Sequence, residues 1–174
     1  KYFKVKIKEF VLKESKNSII SCTFSSSDPQ RKVLQIEGKG VGMVDALYNG
    51  IVKKLSKRFK TLSDLEFEDF SAKVKFKKDT QKKYLNAPVE ICLVISRSPK
   101  KRLYFRAQSK SLAMAAVNVV SSAVEYLINA ELAVIELHKS IIDAKNRSRT
   151  DLCSFYTTQL SEIVRVTSYE KVIK

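Results

Sequence analysis

Two hydrophobic periods follow one another along this chain, and their order restricts the fold more than any single motif. "KYFKVKIKEF" sets Phe3, Val5 and Ile7 against Lys4, Lys6 and Lys8. A two-residue period of this kind makes a strand with one buried and one wetted face. "SIISCTF" repeats it with Ile20, Cys22 and Phe24, and Ser25 to Pro29 supply turn chemistry. "KVLQIE" is a third short strand carrying Val33 and Ile36. The period then changes: Val44, Leu47, Ile51 and Leu55 fall on one face of a helix expected to stop before Thr61.

The second half begins in the same way. "LEFEDFSAKVKFKK" sets Phe70, Ala72, Val74 and Phe76 against Lys73, Lys75 and Lys77. "PVEICLVIS" offers Val89, Ile91, Leu93 and Ile95, and "RLYFRAQ" sets Leu103, Phe105 and Ala107 against Arg102, Tyr104 and Arg106. "RSPKK" joins these two runs as a hairpin. A long alanine- and valine-rich helix follows, with Ala116, Val120, Ala123 and Leu127 in one apolar row. A shift of ~70 residues lays Val33 on Leu103, Val44 on Met114 and Ala46 on Ala116, a weak internal repeat. From about Thr150 a further helix is expected, carrying Leu152, Phe155, Leu160, Ile163 and Val166. The expected fold is α+β: two β3α units, about residues 1–60 and 65–135, and a helical extension over 136–174.

The glycines sharpen this. All four lie between Gly38 and Gly50, and Gly38, Gly40 and Gly42 alternate just before the first helix. A dinucleotide fingerprint needs glycines at the first, third and sixth positions, but the sixth residue of "GKGVGM" is Met43. A phosphate loop ends in Gly-Lys-Ser/Thr, which "GMVD" does not provide. Two readings stand. Glycine permits close backbone approach and unusual turns. Alternatively, a small ligand rests on exposed backbone, with its carboxylate at the positive end of the helix. Asp45 stands in the first turn, where a carboxylate either caps the helix or meets a ligand ammonium group.

"GKGVGMVDALYNGI", after three strands and opening a helix, resembles the Gly-x-Gly-Pro-Val-Asp-Ala-Leu signature of the C-terminal regulatory domain of 2-isopropylmalate synthases and citramalate synthases. "NVVSSAVEYLINA" is similar to the second helix of that domain, and the resemblance covers roughly residues 2–135. It implies two β3α units, a homodimer, and feedback binding of leucine or isoleucine that inhibits a catalytic barrel elsewhere in the parent chain. Carried over, the effector-binding residues are Gly38, Gly40 and Gly42 with Val44, Asp45 and Ala46. Met43 replaces the family's proline, with one extra residue in the loop. The second entrance, "AQSKSLAMAA", lacks both the glycine and the aspartate of the pattern. No cofactor is implied. The family's condensation needs a metal-binding barrel with a His-x-His pair; this chain has one histidine, so it is expected to be non-catalytic by itself.

Charge and composition set the alternatives. Residues 1–110 hold 26 Lys+Arg against 11 Asp+Glu, while residues 111–174 hold 7 of each, so the net +15 belongs to the first part. Such a field attracts nucleic acid and acidic surfaces. A basic sheet with Tyr104 between Arg102 and Arg106 is a second reading, a nucleic-acid-binding module, although "KRLYFRAQ" lacks RNP spacing. A structural dimerisation domain without ligand is a third. Cys22, Cys92 and Cys153 are odd in number and widely spaced, which fits free thiols in a reducing, cytoplasmic setting. His138 stands alone, so a metal site is not expected. No run approaches the ~20 uninterrupted apolar residues of a membrane span. The chain opens at Lys1 and reads as a fragment of something longer.

Overall fold

The computed structural model describes residues 2–13, 18–26, 33–74, 87–96 and 101–167. Strands β1 (Val5–Lys13), β2 (Ser18–Ser26) and β3 (Val33–Gly40) form one antiparallel sheet in that order, followed by helix α1 (Met43–Leu55). A 3₁₀ turn at Lys60–Asp64 leads to β4 (Glu66–Val74), β5 (Val89–Ser96) and β6 (Arg102–Ser109), a second antiparallel sheet in chain order. Helix α2 (Leu112–Asn146) and helix α3 (Thr150–Thr167) complete the chain. The class is α+β, as the alternation of periods predicts. β3 and β6 start 69 residues apart, as do α1 and α2, whereas β1 and β4 start 61 apart and β2 and β5 start 71 apart. Turn residues 27–29 and 97–100, Phe76, and the side chains of Ile20, Cys22, Phe24, Val33 and Val166 lie outside the described residues.

In α1, β5 and α2 the apolar periods are used as written, whereas Phe70, Ala72 and Val74 of β4, expected on a buried face, are exposed. Val44, Leu47, Ile51 and Leu55 of α1 are buried, as are Ile91, Leu93 and Ile95 of β5 and the α2 row Ala116, Val120, Ala123 and Leu127. α1 lies on β3 and β2; α2 lies on β5 and β6, and the two helices touch. Their buried side chains merge into one cluster with Phe3, Val5 and Ile36 of the first sheet. The many valines of α2 are mediocre helix formers in isolation; burial between strands overrides that preference.

α2 also closes the first residues of the outer edge of the first sheet. The Phe3 N–H donates to Asn129 Oδ1 at 2.7 Å and Asn129 Nδ2 donates to the Phe3 carbonyl at 2.9 Å. The Val5 N–H donates to Glu125 Oε1 at 2.6 Å. Backbone groups that β2 does not use are thus satisfied by side chains of α2. Two residues beyond Asn129 on α2, the buried Glu131 carboxylate accepts from the Thr61 hydroxyl of the 3₁₀ turn.

The expected boundary at 135/136 falls inside α2, which runs unbroken to Asn146. Its end turns at Ser148, whose φ of 55° is left-handed, and Arg149 N–H closes on the Ala144 carbonyl at 2.9 Å. α3 then packs back on α2. Leu152, Leu160 and Ile163 are partly buried, but Phe155 is 58% exposed and off the packed face. By length and composition α2 could cross a membrane, and half of its most apolar window is buried in the protein. Cys92 and Cys153 are free thiols.

At the start of α3 the Arg149 guanidinium donates to both oxygens of Asp151, at 2.9 and 2.6 Å. These bonds, and the backbone N–H of Leu152, hold the Asp151 carboxyl down at about 2. A depressed carboxylate stabilises the fold above its unfolded pKa, and that contribution disappears as pH falls through about 2. In an NMR titration Asp151 is expected to remain ionised at pH 3, and Arg149→Ala to return its midpoint toward ordinary carboxylates. An unchanged midpoint would assign the shift to the helix start alone.

Candidate functional site

The sequence places Gly38, Gly40 and Gly42 in a loop. The structure corrects this: β3 continues through Gly40, and only Val41 and Gly42 separate it from α1. Gly38 and Gly40 pair with Ile20 and Ser18 of β2 and share the sheet face of the buried Ile36. That face carries α1. A Cβ at Gly38 would strike the Ala46 carbonyl oxygen and come within 3.0 Å of the Gly50 Cα. A Cβ at Gly50 would lie 2.7 Å from Ile36 Cγ2 and 2.9 Å from the Gly38 Cα. At Gly40 it would lie 2.5 Å from Asp45 Oδ2 and 2.9 Å from the Ala46 Cα. No described glycine has a positive φ. Three of the four therefore serve close helix–strand approach, which requires bare backbone on both elements.

Gly42 is different. A Cβ there would meet no atom of the described residues within 4 Å. It is the N-cap of α1, in extended backbone, and offers no side chain to cap the helix; the first helical bond runs from the Ala46 N–H to its carbonyl at 2.9 Å. Val41 beside it is 93% exposed. The start of this thirteen-residue helix thus carries no side-chain cap, and space is open where a Gly42 side chain would stand, near the positive end of the helix dipole.

Asp45 folds back over this turn. Its Oδ2 accepts from the Val41 N–H at 3.0 Å and its Oδ1 accepts from Asn49 Nδ2 at 3.0 Å. Asn49 Nδ2 also donates to the Lys39 carbonyl at 3.3 Å. Asp45 fixes the path of the connection, and as a half-exposed carboxylate it retains acceptor capacity. Of the residues expected to bind an effector, Gly42 and Asp45 stand at the surface, Val44 and Ala46 are core, and Gly38 and Gly40 are pressed under α1. Sequence reasoning missed Asn49; its spacing of four from Asp45 on a helix was the available signal.

The second entrance closes on itself. The Ser111 N–H donates to Ser109 Oγ at 3.2 Å, and Ser111 Oγ accepts from the Met114 N–H at 3.4 Å, so a side chain already caps α2. Leu112 and Met114, 48% and 40% exposed, flank it.

Two further features frame the site. Tyr48 of α1 is 3% exposed, its ring centroid 5.7 Å from that of Phe67, and its hydroxyl has no hydrogen-bond partner among the described residues; burial raises its pKa. An unpaired buried hydroxyl costs about 1–3 kcal/mol. Tyr48→Phe is therefore expected to raise the melting temperature by a few degrees, roughly 2–4 °C per kcal/mol in a chain of this size. A lower melting temperature would mean that the hydroxyl has a partner. On the far face of the second sheet, Glu68, Asp69, Val94, Arg102 and Tyr104 line an open cleft of about 460 Å³, where Arg102 Nε lies 2.6 Å from Glu68 Oε2. Among the described residues no group of His, Cys, Asp and Glu side chains could hold a metal ion.

No protein-family model matches the sequence, and no curated protein matches it.

Proposed function

We propose that this chain is a regulatory and dimerisation domain, non-catalytic by itself, that binds leucine or a similar small amino acid. In this reading it belongs to a cytoplasmic 2-isopropylmalate synthase-like enzyme of branched-chain amino-acid biosynthesis, and reports end-product level to a barrel in the same parent chain. The observation that carries the reading is the start of α1 at Gly42, which no side chain caps and where an added side chain would meet no described residue, with the Asp45 carboxylate beside it. Free N–H groups at a helix start suit the α-carboxylate of an amino acid. A carboxylate within the same turn suits its ammonium group. The self-capped second entrance makes the proposed site one-sided, formed on the first unit alone.

Thermal denaturation against a panel of free amino acids tests this. Ligand at 100 times its Kd adds about 2.7 kcal/mol. Leucine or isoleucine at that excess is expected to raise the melting temperature by roughly 5–10 °C, with the rise growing as the logarithm of concentration. A flat response to every amino acid would leave a structural dimerisation domain.

The charge of +15 supports a second reading, nucleic-acid binding. Glu68 and Asp69 beside Tyr104 weigh against it, because they put carboxylates where a base-stacking sheet would meet phosphates. That reading predicts retention on a polynucleotide column that falls steeply with salt. No retention at low salt removes it.

A further inference from the structure

The two sheets have equivalent first strands with different fates. β1 and β4 each carry a bulge near their start, between Ile7 and Glu9 and between Phe67 and Asp69. The free edge of β1 is sealed at Phe3 and Val5 by Asn129 and Glu125. Among the described residues nothing seals β4, the outer strand of its sheet. An open edge is a template for another strand.

The side chains of β4 point the same way. Phe70, Ala72 and Val74 lie opposite Leu93, Ile91 and Val89, on the helix-facing side of the sheet. Leu93 and Ile91 are fully buried there, yet Phe70 is 46% and Val74 48% exposed. The aromatic row Tyr48–Phe67–Phe70, with centroids 5.7 and 6.3 Å apart, leads out of the core and ends at solvent. α2 covers β5 and β6, and α1 covers β3 and β2, so this edge of the helix-facing side projects beyond both helices.

We propose that β4 pairs antiparallel with β4 of a second copy of this chain, about a two-fold axis through Ser71, joining two three-stranded sheets into one of six strands. Antiparallel pairing sets residues of like facing opposite one another. In this register Ser71 meets Ser71 of its copy on the outer side. Asp69 meets Lys73, twice by symmetry, also on the outer side. Phe70 meets Ala72 on the helix-facing side, large against small, with Val74 diagonally adjacent, so the exposed apolar residues cover one another. The bulge at Glu68 bends the strand and ends the pairing at Asp69. A register centred on Phe70 instead would set Asp69 against Ser71 and lose both charge pairs.

Charge favours the same partner. Two copies of a chain carrying +15 repel over most of their surface, but β4 holds Glu66, Glu68 and Asp69 against one Lys73. It is a strand of opposite sign to the whole, and its acidic and basic ends are complementary when reversed. This deepens the dimerisation half of the function proposed above and is independent of amino-acid binding. Dimers that show no amino-acid response would end the effector reading and leave the strand pairing standing; an amino-acid response from a monomer would do the reverse.

Sedimentation equilibrium of the whole chain provides the test, with circular dichroism confirming that each variant is folded. The wild type is expected to dimerise. Asp69→Lys sets like charges face to face twice and is expected to weaken the dimer by about tenfold or more. Adding Lys73→Asp reverses both pairs and is expected to restore it. In a background with all three native cysteines changed to serine, Ser71→Cys is expected to form a disulfide-linked dimer on oxidation. Directly opposed strand residues lie about 4.5–5.5 Å apart at Cα, within disulfide reach. A monomeric wild type, a dimer indifferent to Asp69→Lys, or cross-linking at Ala72→Cys in place of Ser71→Cys would overturn the proposal.

Discussion

Gly38→Ala is expected to cost about 3 kcal/mol or more, because the added methyl meets backbone on α1 with no flexible side chain to give way. At roughly 2–4 °C per kcal/mol this lowers the melting temperature by about 6–12 °C. The methyl would strike the Ala46 carbonyl oxygen and crowd the Gly50 Cα, so the helix must lift from β3. Lifting α1 also unpacks Leu47 and Ile51, which are buried beneath it. Gly42→Ala is the contrast, since its backbone is extended and its Cβ meets no described residue. That change is expected to alter stability by no more than about 0.5 kcal/mol, the range of ordinary surface substitutions. Comparable losses at both positions would mean that the glycines serve the turn and not the contact.

Leu127→Ala is expected to cost about 2–5 kcal/mol, the range for truncating a buried leucine. Leu127 has no solvent exposure and belongs to the cluster that joins both sheets. It also lies between Glu125 and Asn129, the residues that hold the edge of β1. A cavity there loosens contacts with the first sheet as well as the second. Both halves are therefore expected to melt in one transition, earlier by about 4–20 °C. Two separate transitions would show that the halves fold as independent cores. Phe155→Ser, at a residue 58% exposed on α3, serves as the control and is expected to be nearly neutral.

How much of this is legible in the sequence depends on the range of the contact involved. Val44, Leu47, Ile51 and Leu55 declare their helix face because the period is local, and all four are buried. The alternation in "PVEICLVIS" likewise places Ile91, Leu93 and Ile95 correctly. The end of β3 is misjudged because glycine is read as a loop residue; Gly38 and Gly40 remain in the strand because α1 lies directly on them. The alternation of Phe70, Ala72 and Val74 gives their facing, but their exposure follows from where the helices end. The sealing of β1 depends on side chains 120 and 126 residues away, beyond any local pattern. Within the candidate site, Asp45 is legible as a first-turn carboxylate. Its bonds to Val41 and Asn49 follow from the tightness of the turn, which the sequence does not state.

The most direct measurement is an amide NMR titration of the ¹⁵N-labelled chain with leucine and isoleucine. Binding at the start of α1 predicts saturable shifts concentrated at Val41, Gly42, Met43, Val44 and Asp45, with the Ser111 to Met114 entrance unmoved. It also predicts that Asp45→Asn, which keeps an oxygen for the Val41 N–H, weakens binding by removing the charge that meets the ammonium group. Spectra unchanged at millimolar leucine and isoleucine, or shifts confined to the α2 entrance, would contradict amino-acid binding at Gly42 and Asp45.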